Sequence, residues 1–170
     1  MSALTRPLVR HWLIAACLAS ATMLAIAHAF QTFGGLQPCT LCLRQREIYW
    51  WALAVSAAGV VLSLIPPMAR LKPLVCAVLA LIFLYGAGVA AYHAGAEWKW
   101  WPGPTTCSSA GGGVSAAALA QLMQGAKIAA PRCDEAAWRM LGLSMAGWNV
   151  LASLLFAGFS VAAALPEKRS

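Results

Sequence analysis

Four stretches of this chain contain no lysine, arginine, aspartate or glutamate: Trp12 to Phe30, Ile48 to Ile65, Leu74 to Tyr92 and Leu141 to Leu165. Each has the length that a helix needs to cross a bilayer, about 17–25 predominantly apolar residues. Only 10% of the residues are charged, against roughly 25% in ordinary globular proteins. The sequence therefore predicts an all-α membrane protein: a bundle of four transmembrane helices forming one integral membrane domain over residues 1–170. The first run has a rival reading. Arg6 and Arg10 precede it, and Ala27-His28-Ala29 resembles the small-residue site of a cleaved signal peptide. The run is longer than a usual signal core, and His28 and the aromatic Phe30 suit a cleavage site poorly, so the span is expected to stay.

Lysine and arginine placement sets the orientation of such a bundle. Arg6, Arg10, Arg70, Lys72, Lys168 and Arg169 fall on one side, in three short segments. Arg44, Arg46, Lys99, Lys127, Arg132 and Arg139 fall on the other, spread over longer loops. The counts tie, and density decides: both termini are expected to be cytoplasmic. The net charge of +7 then follows from membrane topology and calls for no nucleic-acid partner.

This orientation places two loops outside, at about residues 31–47 and 95–140. Cys39 and Cys42 lie in the first; Cys107 and Cys133 lie in the second. Cysteine pairs outside the cytoplasm imply oxidising surroundings, in which disulfides persist. Cys17 and Cys76 fall inside apolar runs, where a free cysteine packs as a small hydrophobe. Trp50, Trp51, Trp98, Trp100, Trp101 and Trp138 cluster near the outer ends of the spans, the depth an indole prefers. In the long loop, Leu119, Leu122 and Met123 follow helical spacing between Ser115 and Gln124, which predicts a short helix lying on the membrane surface.

The segment Pro38-Cys39-Thr40-Leu41-Cys42 carries the chemistry. Cys-x-x-Cys at a helix start sets two sulfurs one turn apart, and Pro38 suits a first-turn position. The helix amino terminus favours negative charge, and Arg44 and Arg46 add positive charge nearby. Such settings lower a thiol pKa and favour the reactive thiolate. Blander readings stand beside this one. The arginines could be snorkelling anchors. The four loop cysteines could form two inert disulfides, or a zinc site, although such sites usually show two close pairs and Cys107 and Cys133 are far apart. No metal is expected. Haem attachment would need histidine where Leu43 stands.

The chain resembles the bacterial disulfide bond formation protein B family, quinone-coupled membrane oxidases of the periplasm. The resemblance rests on Pro38-Cys39-x-Leu41-Cys42 followed by Gln45-Arg46, on one cysteine pair in a long second outer loop, and on Trp138 and Leu141-Gly142-Leu143-Ser144-Met145 leading into the last span. It implies an enzyme of the bacterial inner membrane with its active cysteines in the periplasm. Cys107 and Cys133 would form the disulfide that meets a thioredoxin-fold, DsbA-like oxidase. Cys133 would pass electrons to the Cys39–Cys42 bond by thiolate attack. Cys42 would present a thiolate to a membrane quinone, ubiquinone ahead of menaquinone, with Arg46 stabilising the charges. The resemblance also places a histidine near the quinone, and His93 is the candidate. A thiol reductase running the opposite way, or a scaffold with structural disulfides or zinc, are the alternatives.

Overall fold

A computed structural model describes residues 5–104 and 132–165. The predicted surface helix over 115–124 and Cys107 lie outside the described residues. In chain order the elements are α1 (Thr5–Arg10), α2 (Trp12–Thr32), α3 (Thr40–Ser63), a 3-10 turn (Met68–Leu71), α4 (Lys72–Glu97), a two-residue hairpin of β1 (Arg139–Met140) with β2 (Leu143–Ser144), and α5 (Met145–Ala164).

Three segments are long and apolar enough to cross a membrane: Trp12–Thr32, Met68–Glu97 and Met145–Ala164. The run predicted over 48–65 is helical as far as Ser63, but its helix is not among the three. α3 opens with Arg44, Arg46 and Glu47 in its first two turns and continues through Tyr49, Trp50 and Trp51, which makes it less apolar than the others.

The packing is that of a membrane bundle. Buried positions are filled by small residues, among them Ala16, Ser20, Ala52, Ser56, Ala80, Ala90, Ser153 and Ser160, while Leu18, Leu64, Leu74, Leu81 and Leu155 are exposed. Helices in lipid gain little by hiding large apolar side chains from one another and associate through close backbone approach. Gly59 on α3 shows this: a Cβ there would stand 2.8 Å from Val75 Cγ1 of α4 and 3.2 Å from Leu13 Cδ2 of α2. A larger cluster of Trp12, Leu13, Leu24, Tyr49, Leu79 and Phe83 fills the centre. The indole N–H of Trp12 donates to Ser160 Oγ at 2.8 Å, which closes α2 onto α5.

Three boundaries differ from the sequence reading. α4 runs on to Glu97 rather than stopping near Tyr92, so His93 and Glu97 remain on the helix. The last run does not enter a helix at Leu141. Leu141 (φ 51°) and Gly142 (φ 82°) form the turn of the hairpin, with Arg139 opposite Ser144 and Met140 opposite Leu143. A two-residue turn with both central φ values positive matches the twist of its strands, and here it reverses the chain before Ser144 caps α5 by accepting from the Gly147 N–H at 3.1 Å. Finally, Pro38 lies just outside α3 rather than in its first turn, because Cys39 is the N-cap.

Candidate active site

The site is built from the start of α3, the end of α4, the segment before the hairpin, and the first turns of α5. Cys39 caps α3 with its own sulfur, which accepts the Cys42 backbone N–H at 3.3 Å. The two sulfurs are 2.9 Å apart, and both cysteines are free thiols. His93 Nε2 lies 3.7 Å from Cys39 Sγ. Cys39 is thus surrounded by donors, and its pKa is lowered to about 4, first by the Cys42 thiol and then by His93. Cys42 is pushed the opposite way by its bond to Cys39, by burial, and by the charges of Cys39 and Glu97. The two shifts run in opposite directions and favour the thiolate on Cys39 over Cys42. The resemblance implied a Cys42 thiolate facing a quinone; in the reduced pair the Cys42 backbone N–H reaches the N-cap sulfur of Cys39.

His93 is held from its other side. Its Nδ1 lies 2.9 Å from Gln45 Nε2. Gln45 Oε1 accepts from Asn149 Nδ2 at 2.5 Å, and Asn149 Oδ1 accepts from the Tyr49 hydroxyl at 2.6 Å. Tyr49 also lies 3.2 Å from Ser153 Oγ. A continuous buried chain of polar groups thus runs from the dithiol through α4 and α3 to α5. Glu97, one helical turn beyond His93, places Oε1 3.6 Å from His93 Nε2, and its side chain is 5% exposed. Its other oxygen is buried without a hydrogen-bond partner among the described residues.

Cys133 is fully buried and packs with Cys39 in one small cluster, with Leu41 and Cys42 at its margin. Its sulfur is 3.6 Å from Thr40 Oγ1, and it is disulfide-bonded. Next to it, Asp134 accepts from Lys99 Nζ at 2.6 Å and from Arg132 at 3.1 Å; these two cations hold its carboxyl well below the usual range, Arg132 the more strongly. Lys99 also donates to the Asp134 carbonyl at 2.7 Å. The Cys133 segment is thereby fixed to the end of α4. Phe30 of α2 stacks at a tilt on Trp138, centroids 5.3 Å apart.

Of the residues expected at the site, Cys39, Cys42, His93 and Cys133 come together. Arg46 turns the other way: its guanidinium donates to Gln31 Oε1 at 2.5 Å and to Ala27 O at 2.9 Å, both on α2. Arg44 instead pairs with Glu47, lies over the Trp51 ring, and borders an apolar groove of about 430 Å³ lined also by Leu41, Tyr85, Gly88, Val89 and Tyr92. Gln45, Glu97, Asn149 and Asp134 were not anticipated. The one sequence signal was Glu97, a carboxylate four residues after His93 at the end of an apolar run. Among the described residues, Cys39, Cys42 and His93 are also the group able to ligate a metal, with ligand atoms within 4.8 Å of one another.

The model of the family described as disulfide bond formation protein DsbB matches residues 9–163. The chain belongs to the DsbB family. It is 32% identical over 164 residues to a disulfide bond formation protein B from Dechloromonas aromatica, covering 92% of this chain and 91% of the relative. It is 31% identical over 134 residues to one from Aromatoleum aromaticum, covering 75% of each. A third, from Methylococcus capsulatus, is 29% identical over 163 residues. No solved structure matches. Membership of the DsbB family, with membrane-capable helices, makes this a membrane oxidoreductase of disulfide formation.

Proposed function

We propose that this DsbB-family chain reoxidises a periplasmic DsbA-like thiol oxidase, passing electrons through two cysteine pairs to a membrane quinone. The observation that carries the reading is the burial of Cys133 against Cys39. A resolving cysteine has to reach the inner pair, and thiol–disulfide exchange proceeds by attack of a thiolate on a disulfide sulfur. In the proposed sequence, reduced partner opens a Cys107–Cys133 bond by attacking Cys107. Cys133 leaves as a thiolate and attacks the oxidised Cys39–Cys42 pair, releasing the other sulfur of that pair. Supporting the Cys107–Cys133 pairing, Cys133 is disulfide-bonded while Cys17, Cys39, Cys42 and Cys76 are free.

His93 donates toward the Cys39 thiolate and Gln45 holds its ring. A quinone, when bound, supplies the two-electron acceptor and takes up two protons. His93 and Arg46 are the residues proposed to hold it. The apolar groove beside Leu41 favours a second approach, from the α3–α4 face, with Arg44 at its edge; its apolar lining with a few polar groups suits such a molecule. Four spans with both termini cytoplasmic complete the reading. In support, Lys72 Nζ donates to Arg10 O at 2.7 Å, which gathers short basic segments at the end of the bundle opposite Cys39 and Cys42.

Purified protein in detergent with quinone and a reduced thioredoxin-fold oxidase tests the proposal through quinone reduction. Cys→Ser changes at Cys39, Cys42, Cys107 and Cys133 should each abolish turnover, while Cys17→Ser and Cys76→Ser leave it unchanged. Absence of quinone reduction by the wild-type protein with active partner would sink the reading. Arg44→Ala and Arg46→Ala compared for quinone KM decide between the two approaches.

A further inference from the structure

The inner cysteine pair is surrounded by more ligand atoms than thiol exchange uses. Glu97 is a carboxylate inside the bundle end with one oxygen buried and unpartnered. Burying such a group without a partner is costly. Its neighbour is the imidazole Nε2 at 3.6 Å, itself 3.7 Å from Cys39 Sγ; Cys39, Cys42 and His93 hold their donor atoms within 4.8 Å of one another, with Glu97 at the edge of that group.

We infer that the reduced Cys39–Cys42 pair, with His93 Nε2 and the Glu97 carboxylate, forms a binding site for a thiophilic divalent cation of the zinc type. Two thiolates, an imidazole and a carboxylate are a zinc donor set. In a tetrahedral site with ordinary zinc bond lengths, donor atoms stand roughly 3.4–3.8 Å apart. Cys39 Sγ to His93 Nε2 is 3.7 Å and His93 Nε2 to Glu97 Oε1 is 3.6 Å. The two sulfurs, at 2.9 Å, have only to separate by rotation of one side chain. Binding involves no electron transfer: thiol protons leave to solvent as the sulfurs ligate.

The polar chain behind His93 suits this role. A ligating Nε2 requires the ring hydrogen on Nδ1, which then needs an acceptor. Flipping the Gln45 amide presents Oε1 to Nδ1, at the expense of the 3.3 Å bond from Nε2 to Leu41 O, and flipping Asn149 presents its oxygen to the Gln45 NH2, with Tyr49 turning its hydroxyl hydrogen to Ser153. Every heavy atom stays in place, since amide oxygen and nitrogen are interchangeable in shape. A disulfide between Cys39 and Cys42 removes both thiolates, so the site exists only in the reduced protein. Bound cation would hold the pair reduced and unreactive, a redox-gated block.

The test is Zn2+ titration of the full-length protein in detergent, reduced and then freed of reductant anaerobically, against a chromophoric chelator, with Co2+ as a spectroscopic substitute. No quinone or partner protein is present, so failure here and failure of the oxidase reading are separately visible. The expected result is one equivalent more bound than by Cys39→Ser, thiolate-to-cobalt absorption, and loss of that equivalent on oxidation of the pair. Glu97→Gln and His93→Phe should each weaken binding by at least about tenfold. Equal binding by wild type and Cys39→Ser would overturn the site. So would wild-type affinity in both Glu97→Gln and His93→Phe, which would reduce it to chelation by a bare dithiol.

Discussion

Cys39 and Cys42 are three residues apart yet chemically unlike. Cys39 occupies the N-cap, takes the backbone N–H of Cys42, and faces His93; Cys42 faces Cys39 and the charge of Glu97. A thiol whose pKa is lowered keeps its thiolate on the acid side: the Cys39 thiolate is fully populated well above pH 4 and is lost only as pH falls through about 4. Alkylation of the reduced protein at pH 6, followed by peptide mass spectrometry, should therefore label Cys39 ahead of Cys42. Comparable labelling of both would show that the N-cap does not set the difference. His93→Phe removes a hydrogen bond to a charged group, worth roughly 1.5–3 kcal/mol. Cys39 labelling at pH 6 should then drop, with its titration moved to higher pH.

At the scale of elements, α4 decides the site by continuing one turn further than its apolar run. The extra turn carries His93, Gly95 and Glu97. Trp101 folds back over it, its indole donating to Tyr92 O at 2.9 Å and its ring stacking on Tyr92. A Cβ at Gly95 would collide with the Trp101 ring. Gly95→Ala should displace Trp101 and cost about 1–3 kcal/mol, read as a changed tryptophan emission and a lower Tm; an unaltered emission would contradict the packing. Asn149 links α5 to α3 through Gln45 and Tyr49. Asn149→Leu leaves the Gln45 oxygen buried and unpaired, a loss of about 1–3 kcal/mol. It should also loosen the His93 ring, visible as a broadened imidazole signal by NMR.

At the scale of the molecule, the helices α3 and α4 separate the inner cysteines from Cys133, and an ion-paired strap brings them together. Lys99 and Arg132 are exposed and Asp134 is half-buried, so Asp134→Ala should change stability little. Transfer between Cys133 and the inner pair should nevertheless slow, measured by trapping the Cys133-linked intermediate with acid. Unchanged trapping kinetics would show that the strap is incidental.

The sequence by itself determined that this is a membrane protein. Charge-free runs of that length have no other common use, and Cys-x-x-Cys at a helix start defines its own local geometry, since both sulfurs lie within one turn. The family resemblance also drew attention to Cys133, which the structure buries against Cys39. Only the tertiary structure set His93 beside the N-cap sulfur of Cys39 and turned Arg46 to α2. These depend on where helix ends fall and on contacts between residues distant along the chain. Hydropathy averages over turns, and it misplaced the ends of α4 and α5 by about a turn each. The sequence offers no sign that Gln45, Asn149 and Tyr49 join, because a hydrogen-bond chain across helices exists only once the helices are packed.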